Sequence, residues 1–245
     1  MKVGSLFAGI GGFDLGLERV GFEIAWQVEI DPYCQRVLAK HWPNVQRYGD
    51  IRTIDWGTVE PVDLLCGGFP CQDISLAGKG AGLAGERSGL WVEYVKAIEI
   101  LKPRYVLIEN VSALRSRGLD QVLGSLAALG YDAEWHCIPA CAVGAPHRRD
   151  RVWIVAYPDS GRCEQLRGQE PREEHDERAI PRAQCFCSDP LRGTEWVVEP
   201  AVGRVAHGVP HRVDRLRGLG NAIVPQIAEM IGRAILYAQI QDDPA

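Results

Sequence analysis

The chain has 245 residues, of which 46% are hydrophobic and 24% charged, and its formal net charge is −5. This length suits one domain, or one domain with a small appendage, and the composition is ordinary for a globular protein. No stretch approaches the roughly 18 apolar residues that a membrane-spanning helix needs. The acidic balance excludes a generally basic nucleic-acid-binding protein, so any such surface must be local.

The cysteines indicate the compartment. Eight of them occur in a chain whose N-terminus shows no secretory signal pattern. Reduced thiols in a cytoplasmic protein are the expected result.

Strand and helix patterns alternate along most of the chain. Apolar runs predict strands at residues 2–7, 22–28, 62–66, 105–108, 133–138 and 152–156. Helical spacing, starts and stops predict helices over residues 13–20, 32–41, 91–101, 119–129 and 224–239. Such alternation indicates right-handed crossovers and an α/β fold with a doubly wound, mostly parallel sheet.

The alternation fails from residue 158 to about residue 200, where the sequence is polar and rich in both charge signs. A solvated, partly disordered insertion is the simplest interpretation. We therefore expect one main domain formed by residues 1–158 and 215–245, with a small irregular region over residues 159–214.

The central stretch of the chain places a thiol at the end of a predicted strand. Two glycines and Pro70 end the apolar run at residues 62–66, and Cys71 follows at once. Ligands of open α/β sheets bind beyond the carboxyl ends of the strands, so Cys71 is a candidate nucleophile. The alternative is a small buried cysteine in a turn.

A glycine turn follows the first strand, and an acid, Glu29, ends the second. Glycines allow close approach of a ligand to the backbone, and such an acid can accept both hydroxyls of a ribose. Asp14 stands where the third glycine of a dinucleotide fingerprint would fall, which weakens NAD and leaves other adenosine ligands open. Asp50 could bond an adenine amino group. The alternative is a tight turn packed on its own helix.

Two further polar groups lie at strand ends. Glu109 and Asn110 end an apolar strand, where a carboxyl tends to have a raised pKa, as general acids need. Arg149 and Arg151 precede another strand and would point together in an extended chain, as suits a phosphate or carbonyl oxygen. The alternatives are a capping or ion-paired acid and a solvated strand end.

Five motifs together carry a family resemblance. In chain order they are SLFAGIGG, GFPCQ, ENV, RRDRVWIVA and GLGNAIVPQ. This set resembles the cytosine-C5 DNA methyltransferases over about residues 1–158 and 215–240. The resemblance implies a Rossmann-like methyltransferase fold and transfer of a methyl group from S-adenosylmethionine to carbon 5 of cytosine.

The resemblance also implies roles for individual residues. Cys71 would add to carbon 6 of the base, Glu109 would donate to ring N3, and Arg151 would bind O2, with Arg149 and Asn110 shaping the pocket. Residues implied to hold the methyl donor are Phe7, Ala8, Gly9, Ile10, Gly11, Gly12, Glu29, Ile30, Asp50, Ile51, Gly68, Pro70, Asn221 and Ala222. Residues implied to contact DNA are Gln72, Ser75, Lys79, Arg87, Arg204, Arg212 and Arg215.

The implied partner is double-stranded DNA with the cytosine flipped out of the stack. A monomeric, cytoplasmic, bacterial or phage-encoded enzyme is expected, with a cognate restriction enzyme as a further partner. The region between residues 159 and 214 would be a reduced target-recognition region. An arginine-rich stretch from residue 202 to residue 217, which continues just past this region, is the candidate phosphate surface, or else a solvated loop.

The chain departs from the family pattern at several positions. Ser5 replaces the usual aspartate before the Leu-Phe pair, and His147 stands where a glutamine usually opens the arginine motif. A zinc site built on Cys185 and Cys187 is a competing idea, but their spacing matches no usual ligand pair. Two rival functions remain open: methylation of cytosine in tRNA, and a degenerate protein that binds donor and DNA without turnover.

Overall fold

The structure is a computed structural model that describes residues 1–70, 89–159 and 218–242, with side-chain surroundings up to residue 239. Its strands are β1 (Lys2–Leu6), β2 (Glu23–Val28), β3 (Gln46–Tyr48), β4 (Leu64–Gly67), β5 (Tyr105–Val111), β6 (Tyr131–Ile138) and β7 (Arg151–Pro158). Its α-helices are α1 (Gly12–Glu18), α2 (Pro32–His41), α3 (Gly89–Leu101), α4 (Leu114–Arg117), α5 (Leu119–Ala128) and α6 (Pro225–Asp242). None of these helices is long and apolar enough to cross a membrane.

The seven strands form one sheet in the order β3-β2-β1-β4-β5-β7-β6. Strands β1 to β5 run parallel to one another, whereas β7 is antiparallel to both β5 and β6. The predicted doubly wound, mostly parallel α/β fold is confirmed. Because β7 is antiparallel to β5, its first residue lies at the same edge of the sheet as the carboxyl ends of β4 and β5.

Helices cover both faces of the sheet, and each face has its own apolar core. On one face, α1 and α6 bury Phe13, Leu17, Ile227 and Ile231 against the strands. On the other face lie side chains of α3 and α5, including Tyr94. Helices α1 and α6 touch closely because Gly16 has no side chain: an added Cβ would overlap the carbonyl oxygen of Pro225.

Local signals explain the helix that was predicted best. Helix α2 begins at Pro32, as expected, because the Asp31 carboxylate accepts hydrogen bonds from the backbone N–H groups of Tyr33 and Cys34 at 2.8 and 3.0 Å. Its bounds, Pro32–His41, agree with the prediction.

Two strands differ most from the prediction, while β1, β4, β6 and β7 begin or end within two residues of their predicted bounds. The sequence did not predict β3, whose three residues, Gln46–Tyr48, are too few and too polar to show strand alternation. Strand β5 continues through Glu109 and Asn110 to Val111, because pairing with β7 extends as far as Val111 opposite Arg151. Glu109 and Asn110 are therefore strand residues, where the sequence analysis took them to end the strand.

Several predictions fall outside the described residues. They concern Cys71, Gln72, Ser75, Lys79, Arg87, Arg204, Arg212, Arg215, Cys185 and Cys187. The proposed boundaries of the region over residues 159–214 lie there as well, apart from residue 159 itself.

Candidate active site

The predicted site residues within the described ranges gather at one edge of the sheet. Phe7, Glu29 and Gly68 directly follow the carboxyl ends of β1, β2 and β4, and Glu109 lies near the carboxyl end of β5. The amino end of β7 places Arg151 at the same edge, opposite Val111. This is the edge at which open α/β sheets bind their ligands.

The turn after β1 has an unusual backbone. Phe7 has φ of 51°, Gly9 has φ of 57° and Gly11 has φ of 87°, all in the left-handed region. An added Cβ at Gly9 would meet only the carbonyl oxygen of Phe7, at 4.0 Å. The backbone of the turn is therefore open to a ligand on that side, as a cofactor cradle requires. The neighbouring Ala8 and Gly12 are buried, and Ile10 is half-buried.

Glu29 ties this turn to the end of β2. Its two carboxylate oxygens accept hydrogen bonds from the backbone N–H groups of Gly9 and Asp31, both at 2.7 Å. Each oxygen keeps a free lone pair, so the carboxylate can still accept bonds from two hydroxyl groups. The next residue, Ile30, is 62% exposed, and its apolar side chain offers a surface on which an aromatic ring can lie.

Asp50 follows β3 and is held locally. Its carboxylate caps the short 3₁₀ helix Ile51–Thr53 by accepting a bond from the backbone N–H of Arg52 at 3.0 Å. It also accepts from the guanidinium of Arg52 at 2.6 Å, and these bonds hold the pKa of the carboxyl below its usual range. Ile51 beside it is buried. The Asp50 carboxylate is thus a charged acceptor two residues after the end of β3.

The residues on this side of the site fit an adenosine-containing ligand. Open backbone at Gly9, a hydroxyl acceptor at Glu29, an apolar surface at Ile30 and a further acceptor at Asp50 are the groups that such a ligand needs. S-adenosylmethionine has no pyrophosphate and does not require the third glycine of the dinucleotide fingerprint. Among the residues described, no group of three or more metal-binding side chains exists.

Asp14, in the place of that third glycine, belongs to a buried network that the sequence analysis missed. Its carboxyl oxygens accept hydrogen bonds from Gln27 Nε2 at 2.8 Å and Ser5 Oγ at 3.1 Å. All three side chains are fully buried, and burial raises the pKa of Asp14 to about 6. The network lies beneath the glycine turn and joins β1, α1 and β2. Ser5, which replaces the aspartate usual in the family, thus donates a hydrogen bond to Asp14.

Glu109 and Arg151 form the centre of the other half of the site. Arg151 Nε donates to Glu109 Oε1 at 3.0 Å, and the two side chains are 22% and 12% exposed. Burial raises the pKa of Glu109 to about 7, although the nearby guanidinium groups of Arg151 and Arg149 act in the opposite direction. Desolvation of the carboxylate therefore outweighs the ion pair. The raised pKa expected for an acid in an apolar strand is present.

Asn110 lies behind Glu109 and fastens the end of β4. Its side chain is 2% exposed and donates from Nδ2 to the carbonyl oxygen of Phe69 at 3.0 Å. Gly68 lies against the acid itself, since an added Cβ there would be 2.9 Å from Glu109 Oε2. The segment that leads to Pro70, the last described residue before Cys71, is thus fixed beside Glu109.

Arg149 does not share the face of Arg151 in the way that strand alternation predicted. Strand β7 begins only at Arg151, and Arg149 has φ of 39°, so its backbone is left-handed and not extended. Its guanidinium donates to the carbonyl oxygens of Gly220 and Ala222 at 2.9 and 2.7 Å. It turns toward the segment before α6, while Arg151 turns toward Glu109.

That segment, residues 218–224, lies across both halves of the site. Ile223 is the contact residue: a Cβ added at Gly12 would be 2.7 Å from Ile223 Cβ, and one at Gly68 would be 3.6 Å from Ile223 Cδ1. Asn221 is exposed and Ala222 is half-buried. Arg149 holds the carbonyl oxygens of the residues on either side of Asn221, Gly220 and Ala222. The family resemblance implies Asn221 as a donor-binding residue, and Ile223, two residues later, contacts Gly12 of the glycine turn.

Comparison with known proteins identifies one family. The family model described as C-5 cytosine-specific DNA methylase matches residues 1–189. The chain is 38% identical over 164 residues to the type II methyltransferase M2.BsuMI of Bacillus subtilis (strain 168), covering 64% of this chain and 42% of the relative. It is 34% identical over 163 residues to M.DsaV of Dactylococcopsis salina, covering 65% and 46%.

A third relative agrees with this result, and one solved structure shares the fold. M.HhaI of Haemophilus parahaemolyticus, also a type II methyltransferase, is 33% identical over 156 residues, covering 62% of this chain and 47% of the relative. The chain thus spans less than half the length of these three relatives. The crystal structure of a Spodoptera frugiperda DNMT2 mutant shares the fold, with a TM-score of 0.55, 20% identity, and coverage of 72% of this chain and 53% of that one.

Proposed function

Because the chain belongs to the C-5 cytosine-specific DNA methylase family, we propose that it transfers a methyl group from S-adenosylmethionine to carbon 5 of cytosine in DNA. One observation supports this most: the buried carboxyl of Glu109, with a pKa of about 7, next to the Arg151 guanidinium. An acid that is protonated near neutral pH can donate a hydrogen to a ring nitrogen, and a guanidinium beside it can bind a carbonyl oxygen.

Cytosine needs such help because its carbon 5 is a poor nucleophile. Addition of the Cys71 thiolate at carbon 6, with protonation of N3 by Glu109, turns the ring into an enamine that is nucleophilic at carbon 5. Carbon 5 then takes the methyl group from the sulfonium sulfur, and the donor leaves as a neutral thioether. Solvent water takes the carbon 5 proton, N3 returns its proton to Glu109, and the Cys71 thiolate leaves, which restores the ring. Arg151 binds O2 of the base and holds the charge that develops there.

The order of the chain supports Cys71 in this role. Cys71 follows Pro70, two residues after Phe69, whose carbonyl oxygen accepts the hydrogen bond from Asn110. Asn110 is the neighbour of Glu109 in β5, so the acid and the residue that leads to the thiol are tied to one strand. We assign Asn110 to positioning, since its amide is buried and turned away from the open edge.

The other half of the site holds the donor. S-adenosylmethionine supplies an electrophilic methyl group on its sulfonium sulfur. In our assignment Glu29 accepts the ribose hydroxyls, Ile30 lies against the adenine ring, Asp50 accepts from the adenine amino group, and the turn of Phe7 to Gly12 lies beside the rest. Asn221 reaches the donor from the segment before α6. The contact of Ile223 with Gly12 supports this last placement.

The substrate that fits the proposal is double-stranded DNA with the target cytosine flipped out, because neither face of a stacked base is open to Cys71 and Glu109. Arginines and lysines outside the described residues are assigned to the phosphates: Lys79, Arg87, Arg204, Arg212 and Arg215. A monomer acting beside a cognate restriction enzyme completes the proposal.

Bisulfite sequencing of host DNA after expression of the chain tests the function and reveals the target sequence. We expect 5-methylcytosine at one short recurring sequence with the wild-type chain and none with Cys71→Ser. Purified protein given tritiated S-adenosylmethionine and either DNA or tRNA separates the substrates. Transfer to tRNA alone would refute the DNA assignment, and normal transfer by Cys71→Ser would refute the nucleophile.

A further inference from the structure

We propose that Arg149 is a positioning residue for the methyl donor: its guanidinium holds the carbonyl oxygens on either side of Asn221 and so fixes the donor-facing segment to the catalytic edge. The proposal rests on the function proposed above, because it assigns Asn221 to the donor. It gives Arg149 a role separate from the base pocket to which the sequence motif assigned it.

The contacts of Arg149 are specific to this task. One Nη atom donates to Gly220 at 2.9 Å and the other to Ala222 at 2.7 Å, so the planar guanidinium spans the backbone around Asn221. Two separate donors in a fixed fork restrain both the distance and the direction of the segment. A single ammonium group can hold one carbonyl in this way but not set the geometry of both.

The electrostatic surroundings explain why the charged Arg149 side chain lies against residues 218–224. Burial and the nearby Arg151 guanidinium both lower the pKa of Arg149, while Glu109 acts in the opposite direction. Arginine nevertheless stays charged at neutral pH. The Gly220 and Ala222 carbonyl oxygens, which accept hydrogen bonds from Arg149, therefore offset part of the repulsion between the Arg149 and Arg151 guanidinium groups.

The backbone of Arg149 shows that this orientation is enforced. A φ of 39° is uncommon for a residue with a side chain and costs on the order of 1 kcal/mol. Such a conformation persists where the surroundings determine it, and here it separates the direction of Arg149 from that of Arg151 two residues later. One short stretch of chain therefore serves the base half and the donor half at once.

Packing of the segment supports the same conclusion. Ile223 lies against Gly12 at the glycine turn and is 3.6 Å from the Cβ position of Gly68 beside Glu109. The contact at Gly12 requires glycine, since an added Cβ would be 2.7 Å from Ile223 Cβ, whereas the distance at Gly68 is an ordinary van der Waals one. A shift of the segment's backbone away from Gly12 would move Asn221 relative to the turn. Arg149 supplies the side-chain hydrogen bonds that hold the segment in place.

Three variants test the proposal on the full chain: Arg149→Ala, Arg149→Lys and, as a matched control, Arg148→Ala. Arg148 is the adjacent arginine, its side chain is 80% exposed, and its ion-pair partner is Asp150 at 3.8 Å. The measurements are the Kd for S-adenosylmethionine without DNA by calorimetry, KM for the donor and kcat with DNA, and hydrogen exchange of the amides in residues 218–224.

For Arg149→Ala we expect Kd and KM for the donor to rise roughly tenfold to a hundredfold, because two charge-assisted hydrogen bonds are lost. We expect kcat at saturating donor to fall much less, and the amides of residues 218–224 to exchange faster. Arg149→Lys should restore part of the donor affinity, and Arg148→Ala should match the wild type. A role in global stability alone would lower kcat and affinity together with the melting temperature.

Donor affinity in Arg149→Ala equal to that of the wild type would overturn the proposal, as would a loss confined to kcat. The proposed function fails in a different way. A wild-type chain that binds S-adenosylmethionine but methylates no DNA would refute the methylation of DNA, while the comparison of donor affinities would still decide the role of Arg149. A wild-type chain that does not bind the donor would overturn both.

Discussion

Replacing Glu109 by glutamine should make the protein more stable at alkaline pH and greatly reduce its activity. Burial raises the pKa of Glu109 from 4.5 to about 7. The folded protein therefore prefers the protonated carboxyl, and this preference is fully satisfied below pH 4.5 and lost as the pH rises through about 7. Glutamine has nearly the shape of the protonated acid and no charge to desolvate, so the variant does not lose this stability as the pH rises.

The structure sets the size of the effect. A pKa change from 4.5 to about 7 corresponds to about 3 kcal/mol, at about 1.4 kcal/mol for each pH unit. The attraction of Arg151, 3.0 Å away, is already contained in that value, because it lowers the pKa and burial still prevails. The free energy of unfolding of Glu109→Gln minus that of the wild type should thus grow by about 3 kcal/mol between about pH 4 and about pH 8.5.

Urea unfolding at a series of pH values measures this difference, and methyl transfer from tritiated donor measures activity. We expect activity to fall about a hundredfold or more, because the amide cannot protonate the base. The matched control is Glu99→Gln, the same substitution at an exposed position of α3. A stability difference that does not vary with pH would refute the desolvated, protonated state of Glu109.

Two further substitutions probe the surroundings of the site. Asp14→Asn should keep both hydrogen bonds, with Oδ1 accepting from Gln27 and Nδ2 donating to Ser5. The wild type should lose about 3 kcal/mol of stability as the pH rises through the window from 3.8 to about 6, and the variant should not. The same urea series checks this, and a variant that loses stability on alkalisation as the wild type does would contradict it. Gly68→Ala should push the Glu109 carboxylate aside, since the new Cβ would be 2.9 Å from Oε2. Steady-state kinetics should then show kcat lowered by roughly tenfold to a hundredfold, without unfolding of the protein. The control is Gly124→Ala in α5, where an added Cβ meets nothing within 4 Å.

Local signals allowed the sequence to predict most of the fold. Asp31 and Pro32 specify the start of α2 by themselves, because a capping carboxylate and a fixed φ act within a few residues. Apolar runs specify the inner strands for a similar reason. Strand β3 has no such signal: Gln46 becomes a strand residue only by pairing with Trp26 of β2, a contact that its own neighbours do not encode.

The site was predictable where its residues follow strands and unpredictable where tertiary contacts decide. Glu109 and Glu29 lie at the predicted edge because the ends of parallel strands meet there. Arg149 was misplaced, because strand alternation gives no warning of a left-handed residue just before the strand. Asp14 was treated only as a missing glycine. Its place next to Phe13 and three residues before Leu17 puts it on the buried face of α1, and that spacing was the signal.

The segment at residues 218–224 unites a site whose halves come from distant parts of the chain. Gly12 belongs to the turn after β1 and Gly68 to the end of β4, yet Ile223 packs against both, and Arg149 holds the carbonyls on either side of the neighbouring Asn221. Protein interiors are packed densely, so a displaced segment would disturb the donor turn and the approach to Glu109 together. The donor half and the base half of the site therefore cannot vary independently in this chain, whatever the length of the sequence between β7 and α6.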